Sequence, residues 1–109
     1  MTADQIATLR SAASALRSNA SLLRADREGA GNIRWAGEKI AAAGLETVAE
    51  GAVCMIRASL KAYDQGNDRV AASHADAAAA RLDALCAGAP AAQPTASPGI
   101  RSFARSDAE

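Results

Sequence analysis

The chain predicts an all-α protein, an antiparallel three-helix bundle with close Ala/Gly-lined helix contacts and a flexible C-terminal tail. Three observations carry this expectation. Alanine, the best helix former, supplies 31 of 109 residues. Apolar residues recur at alternating three- and four-residue spacing, the mark of a helical seam. Glycines fall seven apart at Gly37, Gly44 and Gly51, inside an otherwise helical pattern. An interior helical glycine costs about 1 kcal/mol against alanine, and close approach of a neighbouring element is the usual compensation.

Helix one is expected over about 3–28. Thr2 and Gln5 have the spacing of a capping box, in which each side chain satisfies the other's backbone N–H. Ile6, Leu9, Ala13, Leu16, Ala20 and Leu23 then form an unbroken seam of alternating large and small residues. Gly29 and Gly31 close the pattern.

Helix two is expected over about 33–65, with Asn32 as N-cap. Lys39, Glu46, Glu50, Arg57, Lys61 and Asp64 share one sector, and the apolar residues spread over the rest, which suits a central helix touching two neighbours. A break at Gly44 or Gly51 is the alternative, but the polar sector keeps its phase across both. A hairpin turning at residues 30–31 sets Arg24, Arg17 and Arg10 level with Gly37, Gly44 and Gly51. The glycine row is therefore expected to receive Leu9, Leu16, Leu23 and the adjacent arginines, with Glu38, Glu46 and Glu50 as counter-charges. Trp35 is expected to cap one end of the core with its indole N–H in water.

Gly66 followed by Asn67 reads as a helix stop and a new N-cap. Helix three follows over 68–87, its seam Ala71, Ala75, Ala78, Leu82 and Leu85, ended by Gly88 and Pro90. The bundle thus occupies 1–88. Residues 89–109 read as a flexible, Pro-punctuated tail. Within it, Ser97-Pro98 has the pattern of a helix start, after which Ile100, Phe103 and Ala104 share a face flanked by Arg101 and Arg105.

Twelve basic and twelve acidic residues give a net charge of zero, against a general polyanion binder or an acidic DNA mimic. The N-terminus has no basic segment followed by an apolar run, and no stretch approaches a membrane span, so a cytoplasmic location is expected. The alanine content and the excess of arginine over lysine suggest a GC-rich bacterial or phage genome. Cys54 and Cys86 are too far apart in the expected hairpin for a disulfide and read as free thiols.

No nucleophile, phosphate-loop or metal-ligand pattern is present. His74, the lone histidine, has Val70, Ala71, Ala77 and Ala78 at helical neighbour positions, none able to ligate a metal or orient an imidazole. A non-catalytic protein with no cofactor is expected: a small protein-binding module such as an adaptor, an inhibitor or an assembly component. One Phe, one Trp and one Tyr leave few large side chains for a core, so a protein partner or a homodimer is expected to complete it. The partner surface is expected on Ala71, His74, Ala75, Ala78, Arg81 and Leu82 of helix three, with Ile100 and Phe103 of the tail. The alternative is nucleic-acid or phosphate binding through Arg10, Arg17 and Arg24, a heptad row on a stretch (5–25) without acids, together with Arg27 and Arg34.

Trp35-Ala36-Gly37, in a chain of this length, resembles the Trp-x-Gly signature of the WXG family of small exported helical-hairpin proteins. The resemblance implies dimerisation and a Trp-x-Gly turn between two long helices. The family's later Tyr-x-x-x-Asp/Glu signal is not matched, because Asn67 stands four residues after Tyr63.

Overall fold

Four of the described residues have positive φ, and three of them each end a helix in the same way. The computed structural model describes residues 1–27 and 29–88. It contains α1 (Ala3–Arg24), α2 (Gly31–Ala42), α3 (Glu50–Asp64) and α4 (Asp68–Ala87). Asp26, Gly44 and Gly66 have φ of 59°, 71° and 79°. After each, the next N–H reaches back to the carbonyl five residues earlier: Arg27 to Leu22 at 2.9 Å, Leu45 to Ile40 at 3.0 Å and Asn67 to Ala62 at 2.9 Å. These are Schellman motifs, which satisfy helix-end carbonyls that would otherwise lack donors.

The second of them corrects the three-helix expectation. The span 33–65 is two helices, α2 and α3, separated by residues 43–49. Gly44 supplies the left-handed turn, and Leu45, 2% exposed, drops into the core beside Ile40. That burial holds the break. The interruption is seven residues long, two helical turns, so the polar and apolar sectors resume in phase beyond it. Phase continuity therefore does not distinguish a continuous helix from a helix broken by a heptad.

The four helices run alternately up and down. α1 packs against α2 and α4, α3 packs against α4, and α2 and α3 touch more lightly. Salt bridges and hydrogen bonds fix the directions: Arg17 with Asp83 and Arg24 with Asp76 make α1 and α4 antiparallel. Ser59 donating to the Ala71 carbonyl at 2.7 Å, with Gly51 lying under Arg81, does the same for α3 and α4.

The α1 capping box forms as expected, with Thr2 N–H to Gln5 Oε1 at 2.8 Å and Gln5 N–H to Thr2 Oγ1 at 3.1 Å. Every residue of the α1 seam is buried. Helix one nevertheless stops at Arg24, short of residue 28, because Asp26 takes the left-handed conformation three residues before Gly29. Asn32 is not an N-cap, since α2 already begins at Gly31. Asn67 does occupy the N-cap position of α4, but its side chain makes no capping bond.

The heptad glycines occupy three unrelated environments, and none faces α1. A Cβ at Gly37 would sit 3.5 Å from Ile56 of α3, one at Gly51 would sit 3.1 Å from Arg81 of α4, and one at Gly44 would meet nothing within 4 Å. The seam between α1 and α4 is instead lined by alanine and leucine: Leu9, Ala13, Leu16, Ala20, Ala75, Ala78, Ala79 and Leu82 are all essentially inaccessible.

Candidate functional site

The alanine face of α4, expected as the docking surface, is already covered from within. Ala71, Ala75, Ala78 and Leu82 are each 0% exposed, packed beneath α1 and α3. His74 is half-buried and Arg81 exposed, its guanidinium spread over Gly51. Alanine is the right size for a tight internal seam, which is why its pattern resembles an open docking face. Ile100 and Phe103 lie outside the described residues.

Three of the five arginines of the row have a carboxylate within reach. Arg17 bonds Asp83, Arg24 reaches Asp76 at 2.6 Å, and Arg34 lies 3.9 Å from Asp64. Arginines seven apart on α1 meet aspartates seven apart on α4, which ties the two helices along their exposed edge. Glu38, Glu46 and Glu50 take no part in it. Arg10 and Arg27 have no carboxylate within salt-bridge distance among the described residues.

Trp35 lies along the α1 side of the bundle rather than over its end. It stands 39% exposed with Lys39 Nζ 5.7 Å from the ring centroid. Two shallow hollows flank the indole, one bordered by Ser11, Ser14 and Ser18, the other by Ala7, Thr8 and Lys39. Trp35-Ala36-Gly37 is interior to α2, so the tripeptide does not form a turn between two helices.

Cys54 is exposed on α3, Cys86 is buried on α4, and both are free thiols. Among the described residues, no group of three or more His, Cys, Asp or Glu is arranged to hold a metal ion. No helix of the described residues is long and apolar enough to cross a membrane.

A further opening lies at the seam between α2 and α3. Their light contact leaves a groove of about 350 Å³ lined by Arg34, Gly37, Glu38, Ala41, Glu46, Val53, Ile56, Arg57 and Leu60. Its α3 wall is an apolar row at 53, 56 and 60, the spacing of one helix face. Ile56 forms the floor at 3% exposed, and Val53 and Leu60 are half-buried. The α2 wall is Gly37 and Ala41, which project almost no side chain. Charges stand only on the rim.

Comparison with protein-family models, curated proteins and solved structures finds no match to this chain.

The groove residues were within reach of sequence reasoning. Val53, Ile56 and Leu60 belong to the wide apolar face of the second helical segment. Assigning that face to two neighbours within a three-helix bundle left no part of it for an outside contact. Placing α2 and α3 as separate helices opens it.

Proposed function

We propose that this protein is a non-catalytic helical protein-binding module, an adaptor, inhibitor or assembly component of a bacterial or phage cytoplasm. It acts through helix–helix contact at the α2/α3 groove. The observation that carries this reading is the combination of an apolar α3 wall with a bulk-free α2 wall at a lightly packed seam of the bundle. Amphipathic helices bind such grooves through anchors at helical spacing. Small residues on the facing wall let the incoming helix sit close.

The engaged arginines weigh against the nucleic-acid alternative, because Arg17 and Arg24 are held by aspartates of α4. The internal position of Trp35-Ala36-Gly37 weighs against the WXG-like alternative.

The test is affinity purification from the native host with wild type, Ala41→Trp and Val53→Glu. Both substitutions fill or charge the groove at partly exposed positions, so folding by circular dichroism is expected to survive. A partner retained by wild type and lost from both variants supports the reading. Equal retention by all three overturns it. Sedimentation of the same proteins shows whether the retained partner is a second copy of this chain.

A further inference from the structure

We propose that the chain's own C-terminal segment, from Ile100 to Glu109, occupies the α2/α3 groove, so that an outside helix must displace it. The inference rests on the groove being a binding surface and names its resident occupant.

Position comes first. α4 ends at Ala87 with Gly88 as its C-cap, at the end of the bundle where α2 finishes and α3 begins. Val48 and Gly51 line one hollow together with Ala84 and Leu85, so the chain leaves α4 beside the α2–α3 connection. Twelve Cα steps separate Gly88 from Ile100. At roughly 3.3 Å per step they span up to about 40 Å, several times the ~10 Å diameter of the one helix to be passed.

Shape and charge agree on a single direction. In a helix begun at Ser97-Pro98, Ile100, Phe103 and Ala104 fall on one face. The apolar wall from Val53 to Leu60 is about 10 Å long at 1.5 Å per residue, enough for two anchors a turn apart. Phe103, the only phenylalanine of the chain, is the large anchor, and the exposed Ala41 facing half-buried Val53 gives it a wall of low bulk. From the α2–α3 connection upward, the rim presents Glu46, then Glu38 and Arg57 at about one level, then Arg34. In chain order the segment presents Arg101, Arg105, Asp107 and Glu109. A segment entering at the connection and running parallel to α3 sets its arginines against Glu46 and Glu38, and its acids against Arg57 and Arg34. The reverse direction opposes like charges at both ends. Glu38 and Glu46 make no ion pair among the described residues, so both are available.

The native thiols supply the probe. Cys54 is exposed on α3 next to Val53, whereas Cys86 is buried, so a nitroxide reagent under native conditions labels Cys54. Paramagnetic broadening is then read on the amides of the uniformly 15N-labelled full-length chain. The expected result is loss of the signals of Ile100 to Arg105 while those of Ala91 to Ala96 persist, with recovery in Phe103→Ala and in Glu46→Arg. Broadening that fades steadily along residues 89–109, unchanged by Phe103→Ala, overturns the proposal. So does broadening seen only when the nitroxide is on a different, unlabelled copy. If the tail result fails while Ala41→Trp and Val53→Glu still lose the captured partner, only the resident segment is wrong. If both experiments fail, the groove itself is not a binding surface.

Discussion

The side-chain oxygen of Asn19 in α1 accepts the backbone N–H of Ile33 in α2 at 3.2 Å, so the first helix caps the second. The same oxygen accepts the N–H of Asn32 at 3.1 Å, and the Asn19 amide donates to the Gly29 carbonyl at 2.9 Å. The residue at the start of α2, Ala30, has no side chain able to cap. A buried polar group on a neighbouring helix supplies what the local sequence lacks, and its own hydrogen-bonding capacity is largely satisfied in return. Tyr63 completes the arrangement by accepting the Gly29 N–H at 2.9 Å, bringing the end of α3 to the same loop.

Asn19→Ala is expected to cost about 2–3 kcal/mol, more than an exposed N-cap, because it strands helix-start N–H groups away from water. Tyr63→Phe is expected to cost about 1 kcal/mol. Urea unfolding measures both. An Asn19→Ala stability within experimental error of wild type would mean that water replaces the cap.

The heptad glycines are expected to respond in three different ways. Gly44→Ala forces a Cβ into the left-handed region and is expected to destabilise by about 1–2 kcal/mol. Gly37→Ala makes only ordinary contact with Ile56, so the gain in helix propensity dominates and stability rises by up to about 1 kcal/mol. Gly51→Ala displaces the movable end of Arg81 and is expected to be near neutral. Thermal melts of the three variants suffice, and equal destabilisation by all three would restore the continuous-row reading.

Asp26 is the one described non-glycine residue with positive φ. Asp26→Gly is expected to stabilise by about 1 kcal/mol through relief of that conformation. A loss of stability, by the same melts, would show that the aspartate side chain has a role in the turn beyond the backbone geometry.

The paired rows on α1 and α4 give a salt-dependent prediction. The partners of Arg17–Asp83 are about half exposed, so a double-mutant cycle is expected to return only about 0.3–1 kcal/mol. Adding salt to 1 M, where the screening length is about 3 Å, should shrink that coupling further. A coupling that is large and insensitive to salt would indicate that the pair is more shielded than its exposure implies.

Ser59, fully buried on α3, donates to the Ala71 carbonyl. Ser59→Ala removes the bond with little change in volume and is expected to cost about 1 kcal/mol. Hydrogen exchange should show the loosening at the α3–α4 contact first, and protection there equal to wild type would count against it.

Local signals made much of this legible in the sequence. The Thr2–Gln5 capping box, the α1 seam and the stop at Gly66 all follow from backbone groups needing partners within a few residues. The break at Gly44 did not, because an interruption of two turns leaves the hydrophobic phase unchanged. The candidate groove was half legible: Val53, Ile56 and Leu60 show their common face by spacing alone, but the opposing wall of Gly37 and Ala41 belongs to another helix.

The sequence by itself determined the helical class, the α1 seam that enters the core and the helix stops at Gly66 and Gly88. Those depend on periodicity, propensity and turn chemistry, all short-range. Only the tertiary structure decided which faces meet. Alanine seams fit an internal contact and an external one equally well, and arginine rows find their partners only when antiparallel helices bring distant aspartates alongside. The trans-cap from Asn19 to α2 has the same origin, since no rule of local spacing assigns a helix start to a side chain thirteen residues earlier.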